Sequence, residues 1–383
     1  MTMAKKLPIF YPSIHTFELH GKYHSYAIMT DLFERMKELI AEGKYHRTKN
    51  KKKKDKQRIE KQKRYCYTKK GGGLKVELNK STGHGDWQII LSGINLARIA
   101  GNPSRLALAD LSPDGFNYQM QHFFMELEQL GLLNWEGRIE WILYRADVTQ
   151  DFYVKCDPVL PIKLARYAGE AMPYGKGTEK HYDKHNEMRS GRFEKEEYDF
   201  EIYDKHKALL TDIRNGCPVS EGDLEKSRNL IRCEIQLKRK FLLEFEKQTF
   251  QIENGQDRKL ELQDIPYALW KLGERAPGIL YDKTEKLFGT DPWYHAQSAL
   301  KVLESSNLDE STTALVKNYI VSVNDEEQYS SYTAYQEAKI KRVLKQLAIN
   351  LVIVPDKILN ERQFARLPFD SFCSRVQNCE KNL

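Results

Sequence analysis

Asp199-Phe-Glu-Ile-Tyr-Asp-Lys-His-Lys-Ala-Leu-Leu210 is the stretch from which the rest of the chain is read. Phe193 to Tyr203 mixes charged and apolar residues as a half-buried strand does, and Lys205 to Ile213 reads as the start of a helix. Tyr203 stands at the junction, with Lys205 two residues on. A phenol at the end of a strand is presented more rigidly than one on a loop. A nearby ammonium can hold a phosphate or help ionise the phenol, whose free pKa is about 10. The plainer reading is an amphipathic tyrosine at a strand edge beside a solvated lysine. The tetrapeptide Tyr-Asp-Lys-His also occurs at 182 to 185, which makes Tyr182 a rival for any role given to Tyr203.

Two other stretches bear on that choice. Asp147 in Arg145-Ala-Asp147 and Glu234 in Arg232-Cys-Glu234 stand in otherwise apolar runs, each two places after an arginine. A buried carboxylate needs a cation, a donor or a metal. One outcome is a pair of Arg–carboxylate contacts on adjacent strands. The other is two carboxylates meeting on a hard divalent cation. Mg²⁺ or Mn²⁺ takes oxygen ligands and keeps several waters for substrate oxygens. Period-two geometry puts Asp147, Thr149 and Asp151 on one strand face, so Thr149 or Asp151 can orient a metal-bound water. Asp151 suits a strand-end cap equally well.

Around these stretches the chain alternates between strand and helix signals. Residues 7 to 30 alternate loosely and read as one or two strands, and Asp31 is a plausible cap for a helix through Leu32, Met36, Leu39 and Ile40. Gly71 to Asn79 and Trp87 to Leu91 flank a turn-rich hairpin connection, Lys80 to Asp86, and a helix is expected across Ile94 to Ala100. A further helix runs from about Phe116 to Leu130, closed by Gly131. Trp135 to Val154 has the aromatic and β-branched texture of a central strand, and Pro158 to Gly169 suits a helix. Residues 173 to 199 suit a long hairpin or a mobile loop, and Leu230 to Leu242 reads as a strand. Beyond about residue 257 the texture turns helical, with candidates at Ser298 to Leu303, Ser311 to Val321 (capped by Asp309 or Ser311) and Tyr332 to Leu351. The last of these carries Lys339, Lys341, Arg342 and Lys345 on or near one side.

The chain has 383 residues, enough for two or more domains with a substantial core. Net charge is +7, which suggests a polyanionic partner. Lys44 to Lys70 holds fourteen Lys or Arg against only Asp55 and Glu60, with Lys51, Lys52, Lys53 and Lys54 unbroken and Arg58 close behind. Such a run captures nucleic-acid phosphates by releasing counterions, or is a solvated face. Cys66, Cys156, Cys217, Cys233, Cys373 and Cys379 form no C-x-x-C pair, which argues for reduced thiols in a cytoplasm rather than a zinc ribbon or a disulfide framework. No run approaches the ~18 apolar residues of a membrane span, so the expectation is a soluble intracellular protein without membrane contact.

Arg-x-Asp on one strand, Tyr-x-Lys at the end of a second and Arg-x-Glu on a third resembles the replication initiator endonucleases of filamentous phages, the II/X or CRI family, and more distantly the rolling-circle initiators of small plasmids. The hairpin and short helix of Gly73 to Ala100, Tyr203-Asp-Lys205-His206, Leu230-Ile-Arg232-Cys-Glu234 and the basic-aromatic Lys238-Arg239-Lys240-Phe-Leu242 fall in the order of that family, over about residues 70 to 250. The His-hydrophobe-His motif of the broader rolling-circle superfamily is not present in the sequence.

The resemblance implies an α+β fold, with a central antiparallel sheet and flanking helices as in a rolling-circle initiator nuclease domain, and a helical C-terminal region. It divides the chain into a nicking domain at 1–256, with a basic insertion at 44–70, and a helical domain at 257–383. It implies Tyr203 as nucleophile, Lys205 beside it, Asp147 and Glu234 as ligands of Mg²⁺ or Mn²⁺, and phosphate contacts from Lys51 to Lys54, Arg58, Lys238, Arg239 and Lys240. The partners it implies are double-stranded origin DNA, single-stranded DNA and a host superfamily 1 helicase, and it allows a homodimer. Two readings of other kinds remain: a non-catalytic nucleic-acid-binding protein, and a relaxase-type mobilisation protein.

Overall fold

The computed structural model describes residues 11–23, 26–48, 64–80, 87–133, 139–154, 178–182, 188–214, 217–251, 256–288, 294–325 and 332–351, with scattered positions between 158 and 165 and between 353 and 356. Lys51 to Lys54, Arg58, the connection at 81–86 and most of the expected helix from Pro158 lie outside them.

Ten strands form one sheet. They are β1 (Ser13–Tyr23), β2 (Tyr45–Arg47), β3 (Arg64–Lys69), β4 (Lys75–Lys80), β5 (Trp87–Ile94), β6 (Glu140–Tyr153), β7 (Thr178–Tyr182), β8 (Met188–Glu194), β9 (Tyr198–Asp204) and β10 (Leu230–Leu237). Their order is β2-β3-β4-β5-β1-β6-β10-β9-β8-β7, and every pairing is antiparallel. The first strand therefore sits mid-sheet, joining the β2–β5 meander to the half that holds β6, β10 and β9. This is the α+β architecture with a central antiparallel sheet and flanking helices.

Period-two alternation divides the sheet into an apolar and a polar face. On β10, Ile231, Cys233, Ile235 and Leu237 alternate with Arg232, Glu234 and Gln236. On β6, Ala146, Val148 and Phe152 oppose Asp147, Thr149 and Asp151. The apolar face is buried in one core that takes in Phe123, Leu127 and Leu269, from helices α3 (Pro113–Gln129) and α7 (Ile265–Phe288). Phe17 of β1 meets Phe123 edge-on at 5.6 Å between ring centroids. Ser112 caps α3 through Gly115 N, Pro113 occupies its first turn, and Gly131 at φ 73° ends it.

Four boundaries differ from the sequence reading, each for a local reason. Helix α1 (Tyr26–Ala41) begins before Asp31, because buried Ile28 extends the stripe of Leu32, Met36 and Leu39 back by one turn. Phe193 to Tyr203 is not one strand but the end of β8, a turn at 195–197 closed by Lys195 N to Tyr198 O at 2.9 Å, and β9. Strand β10 stops at Leu237, and Arg239–Glu246 forms a helix (α6) because Leu242 and Phe245, three apart, are both buried. Helix α7, 24 residues long and unforeseen as a unit, packs into the core of the sheet rather than with the C-terminal helices.

A second cluster of buried residues joins α8 (Ala296–Glu304), α9 (Glu310–Asp325), α10 (Ala334–Gln346) and the short parallel pair β11 (Tyr294–His295) and β12 (Ile353–Val354). Asp309 caps α9 by accepting from Thr312 N at 2.8 Å, as its sequence suggested. Thr333 and Gln336 make a reciprocal capping box that starts α10 two residues after Tyr332. Among the described residues no helix is long and apolar enough to cross a membrane.

Leu269 on α7 has no exposed surface. Leu269→Ala should therefore cost about 2–5 kcal/mol, as large-to-small core changes do. Urea unfolding followed by circular dichroism would measure it, and a loss under half a kilocalorie would show that α7 is not part of this core.

Candidate active site

Strand β10 lies between β6 and β9, and the register aligns three rows on the polar face. Tyr203, Arg232 and Asp151 form one row; Glu201, Glu234 and Thr149 the next; Asp199, Gln236 and Asp147 the third. Antiparallel neighbours in a row are within side-chain reach, and diagonal ones nearly so. The register thus brings Tyr203, Asp147 and Glu234 to one patch, with Lys205 opening helix α4 (Lys205–Arg214) directly after β9.

The phenolic oxygen of Tyr203 lies 3.5 Å from Glu234 Oε2 and faces it as donor. Lys205 Nζ stands 5.7 Å from the centroid of the Tyr203 ring. Gln236 Nε2 donates to Glu234 Oε1 at 3.3 Å. Tyr203 keeps part of its surface exposed, whereas Asp147, Glu234 and Lys205 are buried.

Only one of the two arginines pairs within its own triplet. Arg232, with no exposed surface, donates from Nε and Nη2 to the two oxygens of Asp151 at 2.6 and 2.7 Å, and also to the Leu106 carbonyl at 3.2 Å. Asp151 is thereby placed: it is the counterion of Arg232, not a strand-end cap. Glu234 is left to another partner, His15. A bulge in β1 between Ile14 and Thr16 puts His15 on this face, where Nε2 accepts from Arg232 Nη1 at 2.9 Å and Nδ1 lies 3.1 Å from Glu234 Oε2. A guanidinium only donates, so Nε2 is the bare nitrogen and Nδ1 carries the hydrogen given to Glu234. Asp147 does pair with its own neighbour: Arg145 Nε is 3.0 Å from Oδ1, Nη2 is 3.2 Å from Oδ2, and the Thr16 hydroxyl donates to Oδ2.

Burial sets the protonation pattern. Burial, then the Arg232 charge, lowers His15 below its ordinary value, so its link to Glu234 at neutral pH is a hydrogen bond from a neutral ring. Burial pushes Asp147 up; Arg145 opposes this and the Glu234 charge adds to it. Burial works against the charge of Glu234 too, but His15 and Arg232 outweigh it and hold that carboxyl below the usual range. Burial, reinforced by Glu234, holds the Tyr203 phenol well above 10. Burial, then Arg232, brings Lys205 down to about 7. The resting phenol is neutral, and Glu234 is the acceptor it faces.

The residues fit a hard cation better than a zinc ion. Thr149 Oγ1 is a buried oxygen without a hydrogen bond among the described residues, and Asp147 Oδ1 has only the ion pair with Arg145 Nε. No group of three or more His, Cys, Asp or Glu side chains among the described residues gathers to hold a metal. Two carboxylates and a hydroxyl suit Mg²⁺ or Mn²⁺, which keep several coordination positions for water and substrate, and not a structural zinc site.

The other singled-out residues are placed differently. Lys238 pairs with Asp199 and donates to the Lys195 carbonyl at 2.6 Å, and Arg239 donates to the Leu143 carbonyl at 3.1 Å. Both tie the corner after β10 to its neighbours; Lys240 is exposed and pairs with Glu196 at 2.7 Å. Tyr182 ends the edge strand β7, two strands beyond β9.

No protein-family model matches the sequence, and no curated protein matches it. Among solved structures, the chain is similar to a rolling circle replication initiator protein from Geobacillus stearothermophilus at 13% identity and a TM-score of 0.32, covering 71% of this chain and 84% of that one. That likeness is too loose to define a shared fold.

With a folded-state pKa of about 7 against an ordinary 10.5, Lys205 binds fewer protons folded than unfolded, so its contribution to stability rises with pH across that window. From pH 7 to pH 9 the wild type should gain on the order of 2 kcal/mol relative to Lys205→Met, at about 1.4 kcal/mol per unit. Paired urea titrations at the two pH values measure this, and equal changes in both proteins would show that Lys205 keeps its ordinary proton.

Proposed function

We propose that this protein is a rolling-circle replication initiator. It nicks one strand of a double-stranded origin through a 5′-phosphotyrosine on Tyr203, leaves a 3′ hydroxyl as primer and later rejoins the displaced strand. The observation that carries the reading is the Tyr203 hydroxyl facing Glu234 at 3.5 Å, on the sheet face that also holds Asp147, with Lys205 beside the Tyr203 ring. The order of the Arg-x-Asp, Tyr-x-Lys and Arg-x-Glu triplets supports the same reading.

In this mechanism the Tyr203 oxygen attacks the scissile phosphorus in line as its proton passes toward Glu234, and the 3′ oxygen leaves, taking a proton from water to become the 3′ hydroxyl. The P–O bond to the 3′ oxygen is exchanged for a P–O bond to tyrosine, so no bond energy is lost and a later 3′ hydroxyl can reverse the step. Lys205, beside the ring, offsets charge on the tyrosinate or the phosphate. His15 and Gln236 fix the Glu234 carboxylate, and Arg145 and Thr16 fix that of Asp147. Mg²⁺ or Mn²⁺ held by Asp147 and Glu234 would supply Lewis-acid polarisation of the phosphate.

The sequence contains no G-x-x-x-x-G-K-[ST] phosphate loop, so strand separation falls to supercoiling or to a host superfamily 1 helicase. The basic segment at 44–70 supplies sequence-independent affinity for DNA, and the reaction belongs in the cytoplasm of a bacterial host.

Incubation with supercoiled origin plasmid and Mn²⁺, followed by mapping of tyrosine-linked 5′ ends, tests the reading. Tyr203→Phe should abolish both nick and adduct with origin binding nearly unchanged, and Tyr182→Phe should nick normally. An adduct formed by the Tyr203→Phe protein would remove Tyr203 from the mechanism.

Asp147→Asn and Glu234→Gln should each lower nicking on the order of 10²-fold while leaving the far-ultraviolet spectrum unchanged. Full activity in either variant would remove that carboxylate from the site.

A further inference from the structure

A second bulge interrupts the pairing of β1 with β6. Glu18 opposes Arg145 and Leu19 opposes Leu143, so Tyr144 has no opposite residue. In a regular strand Tyr144 and Arg145 point to opposite faces. Here the extra residue re-aims the tyrosine, a recurrent use of bulges beside sites. Its ring stacks on His20 at 3.6 Å between centroids with 5° between planes.

The stack is braced from behind. The imidazole of His20 bonds to Glu18 Oε1 at 2.6 Å. Glu18 Oε2 lies 3.9 Å from Arg145 Nη1, and Arg145 holds Asp147. Contacts thus run without a break from the candidate metal carboxylate to the stacked pair. Tyr144 nevertheless remains 39% exposed, with its ring stacked against His20.

A partly exposed aromatic ring, fixed by a second ring, is the element on which an unpaired base stacks. Tyr144 precedes Asp147 by three residues, about 10 Å along a strand at ~3.3 Å per residue. We propose that Tyr144, backed by His20, is a stacking platform for one unpaired base of the DNA strand whose phosphate reaches Tyr203. This rests on the nuclease reading, and it adds a determinant of how the strand is threaded. A tyrosine held in this way costs little conformational entropy when the base arrives, because His20 already fixes its ring.

The test uses full-length protein carrying Tyr203→Phe, so that no strand is cut. The probe is a single-stranded oligothymidylate with one 2-aminopurine, whose fluorescence falls on stacking. The parent should quench the probe, and a duplex of the same length should not be quenched. Adding Tyr144→Leu should remove the quench and weaken binding about tenfold, the effect of losing one stacked base. Tyr144→Phe, which keeps the ring, should restore both. Equal quench and affinity in the Leu variant and the parent, or no quench in the parent, would overturn the platform. The nuclease reading fails separately: wild-type protein that forms no tyrosine adduct, yet shows quenching that depends on Tyr144, leaves the platform standing and removes only the chemistry.

Discussion

A guanidinium with no exposed surface dictates what surrounds it. Arg232 cannot shed its charge, so the chain must give it a carboxylate and fill its remaining donors. Asp151 takes two of them, the Leu106 carbonyl shares one and His15 takes another. Burying such a pair is not a large source of stability in itself, but removing one partner leaves a charge uncompensated in the interior at a cost of about 3–5 kcal/mol. The pair therefore holds β6, β10, β1 and the segment around Leu106 in one arrangement. His15, set by its bond to Arg232, orients Glu234, and Glu234 is what Tyr203 faces.

The two faces of the sheet carry different tasks. Packing of Phe17, Ile235 and Leu237 against α3 and α7 supplies the hydrophobic free energy, and it needs only residues of suitable size. The opposite face collects Asp147, Asp151, Glu234 and Arg232, all buried. Burial pushes the Asp147 carboxyl up, with the Glu234 charge adding to it, while His15 and Arg232 hold the Glu234 carboxyl low. A face arranged only for stability has little reason to gather so many buried ionisable groups around a neutral phenol. Their concentration next to Tyr203 is the physical ground for reading this patch as a site rather than as structural ion pairs.

Much of this was legible in the sequence because it is local. The strand-to-helix junction at Tyr203 and Lys205 follows from a change of apolar period, and Asp147 and Glu234 were marked by charge within apolar runs. What escaped depends on register. Nothing in Arg232-Cys-Glu234 says that the arginine sits opposite Asp151 on the neighbouring strand, since that pairing is made across 81 residues. His15 left a faint signal: Ile14, Phe17 and Leu19 are spaced by three and then two, and a spacing of three within a strand marks the bulge that turns His15 inward. The basic-aromatic corner misled for the opposite reason. Lys238 and Arg239 look like a phosphate-binding pair in one dimension, yet the fold spends both on backbone carbonyls and Asp199. Helix α7 was missed as a unit because Gly273 and Pro277 break its local propensity, which tertiary burial overrides.

The position of β10 has a consequence for the growing chain. Strand β6 is complete at Tyr153, but its outer neighbour begins only at Leu230. At the roughly 5–20 residues per second of ribosomal synthesis, that edge waits on the order of ten seconds with its amides and carbonyls unpaired. Exposed edges of this kind invite adventitious pairing, and charged residues along them are the usual deterrent. Arg145, Asp147 and Asp151 lie along that strand, so the charges later enclosed around the phenol are of the kind that deters such pairing.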